Sequence, residues 1–159
     1  MQSKSYEIAT LTLASGAIGI APMPGTQQGF DLDFLVLREW RPRLVISMTQ
    51  TSEMDDHGAA HLPTMLEQFG IAWLHLPVQD YGVPEGLAWP EVREQILSVL
   101  SDGGRVLVHC RGGCGRSGML ILRLMIATGE APDAALARLR AVRPCAVETE
   151  AQLAWAAQG

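Results

Sequence analysis

Ten consecutive residues limit the folds open to this chain more than any other feature: His109-Cys110-Arg111-Gly112-Gly113-Cys114-Gly115-Arg116-Ser117-Gly118. Before them runs Arg105-Val106-Leu107-Val108, short, apolar and β-branched, the composition of a buried strand. After them, residues 119–127 are apolar, rich in helix formers and too long for a comfortable strand. The stretch therefore predicts strand, Gly-rich loop, helix. Such a loop gathers backbone N–H groups and a helix N-terminus around one small hollow, which suits an anion, and phosphate above all.

What lines the hollow sets its chemistry. Five residues separate Cys110 from Arg116. A loop that short curls with its N–H groups inward, the thiol at the floor and the guanidinium at the rim. The N–H groups, the helix dipole and Arg116 all favour negative charge on sulfur, and the thiolate is the nucleophilic form. Arg116 can grip two equatorial oxygens of a phosphoryl group, which lysine cannot do. Gly112, Gly113 and Gly115 are read as permitting backbone angles and close approaches that a side chain would block. With Arg111 and Cys114 they complete the phosphate-binding set. Ser117 is expected to donate a hydrogen bond to the sulfur when it leaves as thiolate.

Cys-x5-Arg-Ser, preceded by His and set between strand and helix, resembles the signature of the cysteine-dependent protein tyrosine phosphatases. The chain's size resembles their compact dual-specificity type. The wording His-Cys-x-Gly-Gly-x-Gly-Arg-Ser is most similar to the cyclin-dependent kinase-associated phosphatase group and its bacterial relatives. The resemblance implies hydrolysis of phosphotyrosine in proteins or peptides, with phosphoserine and phosphothreonine as further candidates, through a phosphocysteine intermediate. It implies no cofactor and no metal, and His57, His61, His75 and His109 lack ligand-like spacing. Two alternatives stay open: a phosphate-reading module without turnover, and a rhodanese- or arsenate-reductase-like cysteine enzyme.

Ester cleavage also needs a proton donor for the leaving oxygen. Asp80 is the choice. It lies in the loop 77–84, after the predicted strand 71–76, where ligands gather at the carboxyl edge of an α/β sheet. The related phosphatases carry their acid at the matching place. Asp55 and Asp56 are rivals without that context, and Asp102 reads as a turn residue. His109 reads as a buried ring satisfied by backbone, supporting the loop. Gln152 matches, by resemblance, a glutamine that orients the attacking water in some tyrosine phosphatases, although a solvated helix position is the simpler reading. This sequence has Glu148 where the resemblance would place a second glutamine. Cys114 departs from the usual loop residue, and a Cys110–Cys114 link on oxidation is a further hypothesis.

The rest of the chain fits one α/β unit. Apolar residues make up 48% and charged residues 18% of 159, so the chain is globular. Strands are expected at 8–13, 18–21, 44–48, 71–76 and 105–108. Helices are expected at 31–40 with Asp31 as N-cap, 61–69, 89–100, the segment after the loop, 132–142 and about 148–157. Thr51-Ser52-Glu53 reads as a cap and turn. The alternation predicts α/β with a mainly parallel central sheet of four to five strands and helices on both faces, as in dual-specificity phosphatases. No repeat or linker divides the chain, so residues 1–159 are expected to form a single phosphatase domain. A net charge of −5 argues against nucleic acid or an anionic membrane as partner. A monomer in the cytoplasm is the expectation. It rests on the absence of a signal layout and of a long apolar run, and on an odd cysteine count that suits a reducing compartment.

Overall fold

The structure, a computed structural model, describes residues 5–159; residues 1–4, read above for a signal layout, lie outside the described residues. Its centre is a five-stranded sheet in the order β1-β2-β5-β3-β4. The strands are β1 (Ala9–Leu13), β2 (Gly16–Ala21), β3 (Leu44–Ser47), β4 (Ala72–His75) and β5 (Arg105–His109). Only the β1–β2 hairpin pairs antiparallel; β2–β5, β5–β3 and β3–β4 are parallel. Seven helices among the described residues surround it: α1 (Phe30–Glu39), α2 (Thr51–Asp56), α3 (Leu62–Gln68), α4 (Trp89–Ser101), α5 (Gly115–Ala127), α6 (Pro132–Val142) and α7 (Glu150–Ala156). The expected α/β class, parallel sheet and two helical layers are present.

Side-chain alternation along the strands builds two cores. In β5, Val106 and Val108 enter the core under α4 and α5, while Leu107 enters the one under α1 and α3. In β3, Leu44 and Ile46 go one way and Val45 the other. That is the period-two rule applied to a sheet covered on both faces. Helix α5 is buried from Gly115 to Met125. Arg123, the one charge in its apolar run, is accommodated by stacking between Trp89 and Trp155, with its guanidinium carbon 4.6 and 4.4 Å from their ring centres.

The register decides what meets at the carboxyl edge. His109, at the end of β5, stands level with Ala21 of β2 and Ser47 of β3, and Ser47 is level with His75 of β4. Four loops therefore leave the same edge side by side, and the one between those of β2 and β3 holds Cys110.

Two expectations are corrected and one is extended. Helix α1 begins one residue early, with Gly29 rather than Asp31 as its N-cap and no side-chain capping bond. Residues 51–56 form a helical turn closed by a Gln50–Glu53 capping box, so the cap reading holds but does not exhaust Glu53. The last helix starts at Glu150, because Thr149 and Gln152 close a capping box there. No helix among the described residues is long and apolar enough to cross a membrane.

Candidate active site

Every carbonyl from Cys110 to Cys114 is held from outside the loop. The Cys110 carbonyl accepts from His109 Nδ1 (3.0 Å) and the Arg111 carbonyl from the backbone N–H of Met23 (3.0 Å). Arg143 forks onto the next two, with Nη2 on Gly112 (2.8 Å) and Nε on Gly113 (2.9 Å). The Cys114 carbonyl accepts from the N–H groups of Gly118 (2.9 Å) and Val147 (3.3 Å). In a trans peptide the C=O and the following N–H point opposite ways. With the carbonyls pinned outward, the N–H groups of residues 111–115 turn inward. Those of residues 111–114 find no backbone acceptor among the described residues. They converge on a hollow of ≈ 100 Å³ lined by Cys110, Arg111, Gly112, Cys114, Asp80 and Glu148, with Tyr81 at its edge. Drug-sized sites occupy several hundred Å³, so this one suits a small anion.

Of the three loop glycines, Gly113 is required by the backbone and Gly115 is crowded by side chains. Gly113 has φ +72°, and a Cβ there would lie 2.5 Å from the Ala21 backbone. A Cβ on Gly115 would lie 2.3 Å from Glu148 Oε1. Gly112 is a correction: its φ is ordinary and a Cβ would meet nothing within 4 Å.

The buried support beneath the hollow runs from Trp73. Its Nε1 donates to Ser47 Oγ (2.8 Å), and Ser47 lies 2.6 Å from His109 Nε2. Since a carbonyl can only accept, His109 carries its proton on Nδ1, and its Nε2 accepts from the Ser47 hydroxyl. Burial pushes the His109 pKa down to about 4, and Arg116 adds to this against the pull of the Cys110 carbonyl. The ring is a neutral strut, as expected.

Arg116 is buried, and most of its donors are taken. Nη1 and Nη2 bind both oxygens of Glu53 at 2.7 and 2.8 Å. Nη1 also donates to the Val78 carbonyl (2.9 Å), and Nη2 lies 3.3 Å from Asp80 Oδ1. Nε has no partner among the described residues. Burial works against the guanidinium charge, but Glu53, the Cys110 sulfur and Asp80 outweigh it and raise the Arg116 pKa. For Glu53, burial raises the pKa, and the hydrogen bonds and charges of Arg116, with help from the Gln50 N–H and Arg111, bring it below the usual carboxylate range. Sequence reasoning assigned Glu53 a capping role and missed this pairing. A capping box accounts for the residue locally, so no signal for a partner 63 positions away was left.

The structure brings Asp80 to the hollow, as predicted. Its Oδ2 is ion-paired with Arg111 Nη2, and its Oδ1 accepts from the Tyr81 N–H (3.0 Å). Ser117 Oγ is buried without a hydrogen-bond partner among the described residues, so it makes no bond to Cys110 here. Asp55 and Asp56 lie on α2, and neither lines the hollow.

The solvated reading of Gln152 is corrected. It is fully buried, and its carbonyl oxygen is taken. Oε1 accepts from the N–H groups of Glu148 (2.9 Å) and Thr149 (3.2 Å), while Nε2 donates to the Gly82 carbonyl (3.2 Å). It ties the segment carrying Glu148 to the loop carrying Asp80. The cysteines are corrected too. Cys114 forms a disulfide with Cys145 and Cys110 is free, so the Cys110–Cys114 link is not the pairing present. The odd count then no longer argues for a reducing compartment.

Residues 21–130 match the family model described as "Polymorphic toxin system, DSP-PTPase phosphatase". The chain belongs to the dual-specificity-type protein tyrosine phosphatases. The match runs from the last residue of β2 through α5, and so takes in the whole loop from Cys110 to Arg116. Mouse cyclin-dependent kinase inhibitor 3 is 28% identical over 133 residues, which cover 79% of this chain and 63% of that relative. The chain thus spans less than two thirds of its length. Mouse protein tyrosine phosphatase domain-containing protein 1 is 34% identical over 99 residues, 62% of this chain and 13% of that protein. Among solved structures, kinase associated phosphatase with its catalytic-site cysteine changed to serine gives a TM-score of 0.86 at 22% identity, over 96% of this chain and 93% of that one. At that identity the likeness concerns the fold. Tk-PTP in its active form gives 0.69 at 26% identity, over 92% of each chain.

Proposed function

We propose that this chain is a single-domain protein phosphatase that hydrolyses phosphotyrosine through a phosphocysteine on Cys110, with phosphoserine and phosphothreonine as secondary substrates. The reading rests on the inward N–H groups of residues 111–115, which surround the one free thiol at the end of the central strand. A phosphoryl group seated there has its equatorial oxygens on those donors and on Arg116. Its phosphorus faces sulfur, and its ester oxygen points to the rim. The small hollow takes the phosphoryl group and leaves the rest of a peptide outside.

Cys110 sulfur attacks phosphorus in line, and the P–O bond breaks as Asp80 passes a proton to the leaving oxygen. The Asp80–Arg116 contact is consistent with this. An incoming phosphoryl group competes for the same Nη2, and Asp80 is released over the leaving oxygen. Water then attacks the phosphocysteine while Asp80, now a carboxylate, takes its proton. The sulfur leaves as thiolate, for which the unpartnered Ser117 hydroxyl is an available donor. Fixed donors that match the charge at phosphorus supply the largest contribution.

The test is turnover of p-nitrophenyl phosphate and of a phosphotyrosine peptide by the chain and by Cys110→Ser. The expected result is turnover by the former and none by the latter, which still binds phosphate. Phosphate binding without turnover by the unaltered chain would make it a reading module.

A further inference from the structure

Two carboxylates line the hollow, Asp80 and Glu148, and they are held in opposite ways. Asp80 is engaged by guanidinium groups. The Glu148 side chain lies at the start of α5, where its Oε1 fills the space a Cβ on Gly115 would need. Its backbone is fixed on both sides. Val147, a β-branched residue, is held at φ +66°, a conformation that persists only when the surroundings impose it. Here Arg140 imposes it, donating from Nε to the Ala146 carbonyl and from Nη2 to the Val147 carbonyl, both at 2.9 Å. Gln152 then accepts from the N–H of Glu148 itself. Side chains on two helices thus hold one strained residue, and the result is a carboxylate over the first helical turn of the anion loop. The glutamine that the family resemblance offers for handling water has no free acceptor here. Its carbonyl oxygen, the acceptor that water would need, already serves two backbone N–H groups.

Resting on the phosphocysteine reading above, we propose that Glu148 orients the water that hydrolyses that intermediate. Its carboxylate accepts one hydrogen of the water and Asp80 the other, so the oxygen lone pair faces phosphorus. As the new O–P bond forms, the P–S bond breaks and its electron pair returns to Cys110. The proton goes to Asp80, which lost one in the first step, and Glu148 stays ionised throughout. Glu148 then acts on the second step alone.

Rapid-quench kinetics with p-nitrophenyl phosphate on the full chain, Glu148→Ala and Glu148→Gln separate the steps. The expected result for Glu148→Ala is an unchanged first-step rate constant and a burst of about one equivalent of nitrophenol. Steady turnover then slows ~10- to 100-fold, the scale for a misplaced reactant, and phosphoryl-Cys110 accumulates in the quenched peptide. Glu148→Gln, whose amide oxygen still accepts, should recover most of the rate. The proposal is overturned by a steady rate that does not change, by both steps falling together, or by Glu148→Gln as slow as Glu148→Ala. Absence of any phosphoryl-Cys110 in the unaltered chain, with turnover intact, would instead remove the phosphocysteine reading and this inference with it.

Discussion

The floor and the rim of the hollow are built on different principles. The floor is backbone: peptide N–H groups are aimed inward because each carbonyl is anchored, by His109, Met23, Arg143 and Val147. The rim is side chain: Asp80 is held by Arg111 and Arg116. Backbone anchored at every carbonyl has one arrangement and is ready before a ligand arrives. The Asp80–Arg111 pair joins two partly exposed groups, and such a pair is weak and exchangeable, so the rim can trade partners during a reaction. Binding should therefore follow the floor and proton transfer the rim.

The sharpest way to break this division is Asp80→Ala. It should lower kcat by ~10²-fold or more, the scale of general acid catalysis, and flatten the alkaline limb of the pH–rate profile. Phosphate or vanadate binding should stay as tight or tighten, because Arg116 loses a competitor. Weaker anion binding in that variant would make the rim part of the floor. Arg143→Ala is the complementary test. It frees the Gly112 and Gly113 carbonyls, so anion affinity should fall roughly 10-fold, equivalent to about 1.4 kcal/mol. The pH–rate profile should keep its shape. Titration calorimetry with phosphate measures both variants.

The last effect is on stability rather than on turnover and concerns the strut below the floor. His109 is neutral in the fold, with its pKa lowered from 6.5 to about 4. Between those values the unfolded chain takes up a proton that the folded chain refuses. Its contribution is complete above pH 6.5 and declines as pH falls toward 4, by at most about 1.4 kcal/mol per unit. Glu53 acts in the same direction at more acid pH, since its lowered value keeps its contribution until the folded carboxylate is protonated. Urea melts across that window should show the decline, and His109→Gln should flatten it above the range of Glu53. An unchanged slope in the variant would assign the loss elsewhere.

The floor was legible in the sequence because its donors are contiguous. Strand, glycines, Arg116 and helix sit in one run, and hydrophobic periodicity supplied the sheet around them. Asp80 was legible because loops after core strands share one edge. The anchors were not. Arg143 and Arg140 look like ordinary charges at a helix end, where a dipole explanation already satisfies them. Glu53 was accounted for by its capping box. Gln152 was conspicuous for a motif, yet the motif does not say whether its amide is free. In each case the local pattern had a sufficient local reason, and the long-range partner left no trace in spacing.

One consequence follows from the bond between Cys114 and Cys145. Among three cysteines it leaves Cys110 as the single free thiol. A sulfenic acid formed there by peroxide has no resolving thiol within the chain, so only a backbone nitrogen or an outside thiol can capture it before it passes to sulfinic acid, which is irreversible. The pairing that stitches this loop to the segment behind it thereby makes the return of Cys110 to its thiol form depend on thiols supplied from outside.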